Sequence, residues 1–325
     1  MTKNKRHQLI VILADQGDQY VSGQSLSEQL NISRTAVWKH MNELKKNGYQ
    51  FESVPRKGYR LVSKPLQLDD NTIKWGLDTE WLGKTIEFRD KLDSTQDLAH
   101  QFARKNYPHG TVVITNRQLA GRGRRARSWE SNHDGGIWLS MILRPDIPPH
   151  QASQMTLFVA VTLVETIERL TGVPLKIKWP NDLFIGNKKL CGILTEMQAE
   201  LEVIQYLVIG FGVNVNQKQT DFPQGLQNKS TSLQMETGQQ WNRTELVQAI
   251  LQDFEQSYAY YLEHGFDFVK QKWLDHAYRI QEKLEIRQHN DTFRAVMEGI
   301  NDDGALIVRT EAGDQRVIYS AEINW

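Results

Sequence analysis

Gln118-Leu119-Ala120-Gly121-Arg122-Gly123-Arg124-Arg125-Ala126-Arg127-Ser128-Trp129 is the stretch that decides how this chain folds and what it holds. Five arginines lie between positions 117 and 127, and no Asp or Glu occurs from Leu98 to Trp129. Two glycines let the backbone come close to a ligand, and guanidinium groups fork onto phosphate or carboxylate oxygens. Like charges packed into one segment repel, so the cluster is costly unless an anion fills it. The stretch predicts a loop that closes over a phosphorylated or adenylated ligand. Gly121, Gly123 and Ala126 also match the dinucleotide pattern G-x-G-x-x-A, but Arg127-Ser128-Trp129 follows instead of an apolar helix. A Walker A loop is absent. A solvated arginine-rich loop or a nucleic-acid patch stays open on these residues alone.

Charge is distributed unevenly around that stretch. The 325 residues carry 39 Lys/Arg and 39 Asp/Glu, a net charge of zero. Residues 1–66 hold 11 Lys/Arg against 5 Asp/Glu, so this part is net +6 and the remainder is net −6. A basic module on an acidic body points to a polyanion partner at one end. Mean hydropathy is −0.54. No apolar run approaches the roughly 18 residues of a membrane helix, and the run from Leu9 to Ala14 is too short for a signal peptide. One cysteine, Cys191, excludes an internal disulfide and a cysteine-based zinc site. The expectation is a reduced, cytoplasmic protein that does not touch a membrane.

The basic module reads as helices over 6–14, from Ser22 through Leu26 and Leu30, and from Ser33 to about Lys46. On the third, Val37, Met41 and Leu44 form a buried stripe, while Arg34, Thr35, Trp38, Lys39 and Asn42 face away. Two helices joined by Asn31-Ile32-Ser33 form the helix-turn-helix pattern. Strand signals at 49–54 and 59–62 flank Pro55-Arg56-Lys57-Gly58, a hairpin with a basic tip. Together they predict a winged helix-turn-helix over residues 1–65. Ser33, Arg34, Thr35, Trp38, Lys39 and Asn42 would enter the major groove, and Arg56 and Lys57 would meet phosphates. Useful operator affinity calls for a homodimer reading two half-sites.

The central body, residues 66–274, mixes strands and helices. Strand signals lie at 111–115, 136–143, 175–179, 190–197 and 203–215, with a helix over 151–170. That spacing predicts a largely antiparallel or mixed sheet rather than repeated βαβ units. Asp182, after Pro180-Asn181, could hold a hydrated Mg²⁺ near phosphates or simply make an Asx turn. Lys189 opens a strand, and Gly192 leaves room beside it. Residues 275–325 show short strand signals at 283–288, 292–300, 305–310 and 315–323, separated by turns at His289-Asn290-Asp291, 301–304 and 312–314.

These motifs together resemble the biotin–protein ligases, in the bifunctional bacterial form that also represses the biotin operon. The resemblance rests on the winged helix, Asp93-Ser94-Thr95, the Gly121-Arg122-Gly123-Arg124-Arg125 loop with Trp129, Lys178-Trp179-Pro180-Asn181-Asp182, Lys189-Leu190-Cys191-Gly192-Ile193-Leu194, Gly210-Phe211-Gly212-Val213-Asn214 and Thr231-Ser232-Leu233. It implies an α+β chain whose central sheet is similar to class II aminoacyl-tRNA synthetases, followed by a small SH3-like β-barrel. It implies two-step chemistry: ATP, with Mg²⁺, activates biotin to biotinyl-5′-AMP, and the acyl group passes to a lysine of a biotin carboxyl carrier domain. Ser94, Thr95, Gln96, Gln118, Arg122, Gly123, Arg124, Lys189 and Gly192 would border biotin, with Arg122, Arg124 and Lys189 catalytic. Gly121, Arg124, Arg125, Trp129, Asn181 and Asn214 would border the adenylate, and Asp182 the metal. The resemblance further implies that the adenylate is a corepressor that favours the homodimer on operator DNA.

Three departures stand out. Gln96 replaces an asparagine common in the family, and Ile137-Trp138 stands where the pattern is more polar. Ala126 replaces a glycine; if that position needs positive φ, alanine costs about 1 kcal/mol. Two rival functions are a lipoate-type acyl ligase with the same adenylate chemistry, and a non-catalytic repressor whose central domain only senses a ligand.

Overall fold

Short side-chain caps set the first helices. The Ser22 hydroxyl accepts from Ser25 N and the Ser33 hydroxyl from Ala36 N, at 3.0 and 3.1 Å. The computed structural model describes residues 5–65, 68–200, 202–288 and 291–324. It opens with α1 (Lys5–Asp15), α2 (Gly23–Leu30) and α3 (Arg34–Lys46), followed by the antiparallel hairpin β1 (Gln50–Val54) and β2 (Gly58–Ser63). Val37, Met41 and Leu44 are buried, and Arg34, Thr35, Trp38 and Lys39 are exposed. The winged helix-turn-helix is therefore formed as expected.

This module has its own core, and one residue of the body enters it. Trp75 on α4 (Asp70–Gly76) is 6 % exposed and packs with Leu9, Leu13, Met41 and Tyr49. The Arg6 guanidinium lies 5.4 Å from its ring. α4 is in turn wired to the long helix α8 (Arg243–His264), because the Gln248 amide donates to the carbonyls of Thr72 and Ile73 at 2.9 and 3.1 Å. Lys64 and Glu245 add an ion pair across the same joint.

The body continues through β3 (Ile86–Leu92), α5 (Thr95–Arg104), β4 (Thr111–Gln118), β5 (Ile137–Leu143), α6 (Ala152–Thr171), β6 (Lys176–Lys178), β7 (Asp182–Ile185), β8 (Lys188–Glu200) and β9 (Val203–Val213). The seven strands form one mixed sheet in the order β3-β4-β5-β9-β8-β7-β6, parallel only between β3 and β4. Strand alternation sorts the side chains. Val112, Ile114, Leu139, Met141, Ile209 and Phe211 join α6 on one face, whereas Val113, Ile142 and Val208 join Ala99, Phe102 and Ala103 of α5 on the other. α7 (Leu233–Thr237), α8 (Arg243–His264) and α9 (Asp267–His276) follow, with Phe254, Tyr258 and Tyr261 of α8 packed around Phe158 of α6.

The C-terminal unit is an antiparallel sheet of β10 (Lys283–Gln288), β11 (Asp291–Ile300), β12 (Leu306–Thr310), β13 (Gln315–Ile318) and β14 (Glu322–Asn324), in the order β13-β12-β11-β10-β14. Its apolar residues Leu284, Ile286, Met297 and Val308 belong to the same continuous core as the body.

Three differences from the sequence reading have physical causes. The single strand expected over 315–323 is two strands on opposite edges, because the chain leaves β12 at Ile318 and pairs again with β10. α6 is buried nearly all round rather than along one stripe, because sheet, α8 and α9 enclose it. β3 and β7 were not expected; β7 makes Asp182 a strand residue rather than only a turn residue. The expected turn residues His289 and Asn290 lie outside the described residues.

Trp75 should act as the peg between module and body. Trp75→Ala should cost about 3–5 kcal/mol in the module alone, splitting one calorimetric unfolding transition into two. A single transition, shifted or not, would contradict that role.

Candidate active site

The α5 face of the sheet is missing side chains where the strands cross. Gly192 of β8 pairs with Gly212 of β9, and Gly210 sits opposite Ser140 of β5 and Leu194 of β8. These glycines make a floor that other residues lie on. A Cβ on Gly212 would stand 2.3 Å from Trp129 Nε1, and one on Gly210 would stand 2.4 Å from Gln96 Oε1. A Cβ on Gly192 would meet Trp129 and the Lys189 amine at 3.1 and 3.3 Å. Above the floor is a cavity of about 430 Å³, which is large enough for a small-molecule ligand.

One end of the cavity is a buried, neutral hydrogen-bond network. Ser94 caps α5 through Asp97 N at 3.4 Å. Gln118 Oε1 accepts from Thr95 N at 2.8 Å and from its hydroxyl at 3.1 Å, and Gln118 Nε2 donates to Ser131 at 3.1 Å. The Thr95 and Ser140 hydroxyls meet at 2.9 Å, Ser140 donates to Gln96 Oε1 at 3.1 Å, and Gln96 donates to Val208 O at 3.0 Å. Thr95, Gln96, Gln118 and Ser140 are all under 9 % exposed. Such a satisfied network fixes a rigid, polar binding wall. Gln96 therefore has the reach to span to β9.

The other end is cationic. Lys189 pairs with Asp182 at 2.7 Å and stands 5.1 Å from the Trp129 ring. Asn181 is locked to β8 by two bonds with Ile193, at 2.7 and 2.8 Å. Its Oδ1 accepts from Arg124 Nη1 at 3.3 Å. Burial pushes the Arg124 guanidinium below its ordinary pKa, neighbouring Arg125 adds to this, and Asp182 opposes it. Burial likewise lowers Lys178, with Asp182 opposing. Both shifts say that positive charge is held here at a desolvation cost, which an anion would offset.

The arginine stretch forms a pinched loop. Trp129 N donates to Gly121 O and Gly123 N to Arg127 O, both at 2.8 Å. Arg125 and Ala126 lie at φ +54° and +56°. Ala126 thus occupies the left-handed conformation that its departure from glycine placed at risk. Its arginines go separate ways. Arg122 reaches Asp97 and Glu196, each at 2.6 Å. Arg125 donates to Ser320 at 2.9 Å, and Arg127 pairs with Glu322 at 3.0 Å, so the C-terminal unit holds the far side of the loop.

The fold brings together nearly all of the expected site residues. Ser94, Thr95, Gln96, Gln118, Arg122, Gly123, Arg124, Arg125, Trp129, Asn181, Asp182, Lys189 and Gly192 line the cavity. Gly121 and Asn214 stand behind it. Gly121 packs its bare Cα where a Cβ would strike Ser131 Oγ at 2.4 Å, and the Asn214 amide is spent on Thr231 O at 3.0 Å. Sequence reasoning missed Ser140 and the C-terminal Ala321-Glu322-Ile323 edge, which carry no local motif. It quoted Gly210 and Gly212 without a role, although alternating glycines in a strand signal close approach. In the N-terminal module Trp38 is 59 % exposed, Asn42 is half-buried, and the Ser33 hydroxyl is used as a helix cap. Lys57 and Arg56 lie in the wing turn.

Known proteins share this arrangement. Residues 89–214 match the biotin/lipoate A/B protein ligase family, residues 5–60 an HTH domain, and residues 285–324 the biotin protein ligase C terminal domain. Over 323 residues the chain is 45 % identical to the bifunctional ligase/repressor BirA of Bacillus subtilis, covering 99 % of each. The chain belongs to the biotin protein ligase family. It carries the DNA-binding, ligase and C-terminal parts of a bifunctional ligase/repressor. BirA of Escherichia coli is 28 % identical over 304 residues, 93 % of this chain and 92 % of that one. The biotin protein ligase of Aquifex aeolicus, solved in complex with biotin and ATP, superposes with a TM-score of 0.64 at 27 % identity, over 74 % of this chain and 98 % of its own. Among the described residues no helix is long and apolar enough to cross a membrane.

The ligase's loop conformation should depend on residue 126. A β-branched side chain is a steric outlier at positive φ, so Ala126→Val should open the loop to trypsin at its arginines, while Ala126→Gly should leave it at least as protected. Equal cleavage of Ala126→Val and the unaltered protein would contradict the assigned backbone.

Proposed function

We propose that this ligase joins biotin to ATP in the cavity over the glycine floor and passes the biotinyl group to a lysine of a biotin carboxyl carrier domain. The observation that carries the reading is Arg124, a half-buried cation aimed at a cavity next to Lys189, with no ion pair among the described residues. A carboxylate and a triphosphate repel each other, and fixed cations both bring them together and stabilise the charge that develops between them. The neutral wall of Thr95, Gln96, Gln118 and Ser140 suits the uncharged polar head of biotin. Trp129, flat over Gly192 and Gly212, suits an adenine.

In the first step a biotin carboxylate oxygen attacks the α-phosphorus. The bond to the bridging oxygen of the β-phosphate breaks, and pyrophosphate leaves with the electron pair. In the second step an acceptor lysine amine attacks the anhydride carbonyl, loses a proton, and AMP leaves. The mixed anhydride hydrolyses in water, so a loop that covers it has a purpose. Asp182 would hold Mg²⁺, which would supply positive charge to offset that of the phosphates. One carboxylate suits that ion, since Mg²⁺ is commonly held by one or two carboxylates and the phosphates themselves. Lys189 would then turn from Asp182 to the ligand.

The N-terminal module extends the reading to repression. Arg34, Thr35, Trp38 and Lys39 face outward together with the wing, and the module is pegged to the body rather than freely tethered. A homodimer in the cytoplasm, bound to operator DNA when loaded with biotinyl-5′-AMP, fits a ligase that also senses its own intermediate.

Transfer of labelled biotin to a carrier domain should require ATP and Mg²⁺, and the same loading should tighten gel-shift binding to DNA bearing the operator. Pyrophosphate exchange driven by lipoate instead of biotin would replace the substrate. Absence of any transfer would leave a ligand-sensing repressor.

A further inference from the structure

Arg122 differs from Arg124 in what surrounds it. Its Nη1 donates to Asp97 Oδ1 at 2.6 Å and to Glu196 Oε2 at 3.3 Å, and its Nη2 donates to Glu196 Oε1 at 2.6 Å. Two carboxylates face one guanidinium, so no net positive charge is left at Arg122 for a ligand anion. Asp97 is in the first turn of α5, three residues past Ser94, and Glu196 is on β8, two residues past Leu194. The two acids therefore come from the elements that carry the neutral wall and the floor. Arg122 itself sits at the neck of the arginine loop, where its backbone pairs with Ser128 and the next amide bonds to Arg127.

Glu196 is itself braced. His100 Nε2 stands 3.1 Å from its Oε2. The His100 bond, together with Gln96 and Arg122, holds its carboxyl down to about 2 against the opposing effect of burial. An isolated exposed ion pair contributes little, but a fork shared by two acids from separate elements has direction as well as charge.

We propose that Asp97 and Glu196 are positioning residues that grip Arg122 at the loop neck and so hold Arg124 over the adenylate. This rests on the ligase reading above. Arg122 then acts as the loop's anchor and not as a cation for the ligand. The two roles predict opposite signs. If the acids anchor the loop, removing either charge loosens it. If Arg122 is a ligand cation held in reserve, removing either acid frees it and tightens the anion.

The test is release of labelled biotinyl-5′-AMP from pre-loaded full-length protein, for the unaltered chain, Glu196→Gln, Asp97→Asn and Arg122→Lys. Loss of a charge-assisted fork should speed release by about tenfold in each variant, with faster tryptic cleavage inside the loop and an unchanged thermal midpoint. In Glu196→Gln and Asp97→Asn, single-turnover transfer of the bound intermediate to the carrier domain should stay within about twofold, because the acceptor reaction does not pass through these acids. Release as slow as, or slower than, the unaltered chain in Glu196→Gln and Asp97→Asn would overturn the proposal. Asp97 is at the exposed end of the fork, so Asp97→Asn decides alone if Glu196→Gln does not fold. An unaltered chain that forms no adenylate would instead refute the ligase reading.

Discussion

The constraint on which the site depends is a positive charge that is partly buried without a carboxylate. Of the five arginines from 117 to 127, Arg117 pairs with Asp134, Arg122 with Asp97 and Glu196, and Arg125 and Arg127 with Glu322. Arg124 has only the Asn181 amide oxygen among the described residues. Desolvating an unpaired charge is unfavourable, and the fold accepts that cost at one place. The paired arginines tie the loop to α5, β8 and the C-terminal unit, and that leaves Arg124 pointing where an anion would go. The pairing of four arginines thus sets the placement of one cation.

The remaining architecture serves the same placement. Glycines at crossing positions on β8 and β9 bring the floor close enough for Trp129 and Gln96 to lie on it. Asn181 is fixed by two bonds to Ile193, so the group facing Arg124 cannot drift. Trp179 donates to Gly304 O at 3.1 Å, which holds the C-terminal unit against the cavity rim and keeps Glu322 within reach of the loop. At the other end, α4 links α8 to the DNA-facing module through Trp75. Ligand chemistry and DNA contact are therefore joined through packed elements.

Much of this was legible in the sequence because it is local. Helix caps at Ser22 and Ser33, the basic wing tip, the arginine loop and the Trp-Pro-Asn-Asp turn each announce themselves within a few residues. Even the left-handed backbone at Ala126 could be anticipated from a residue standing in a glycine's place. What stayed hidden depends on separation. Asp97 and Glu196 stand 25 and 74 positions from Arg122, and Glu322 stands 195 from Arg127. No spacing rule finds such partners, so the arginines looked alike when only one of them is free of an acid. The bond of Asn214 to Thr231 O likewise appears only when the strand end meets the following turn. The overall neutrality of the chain misleads in a related way, since it averages a cationic DNA-facing module with an acidic body that pairs away most of its own arginines.

The most direct measurement is retention of the adenylate by Arg124→Ala. The protein would be loaded with labelled biotin and MgATP, passed through a desalting column, and assayed for bound and free biotinyl-5′-AMP. The account predicts that the unaltered chain keeps the intermediate, while Arg124→Ala still folds and releases most of it to solution. Retention by Arg124→Ala as tight as that of the unaltered chain would contradict the claim that this one desolvated guanidinium organises the site.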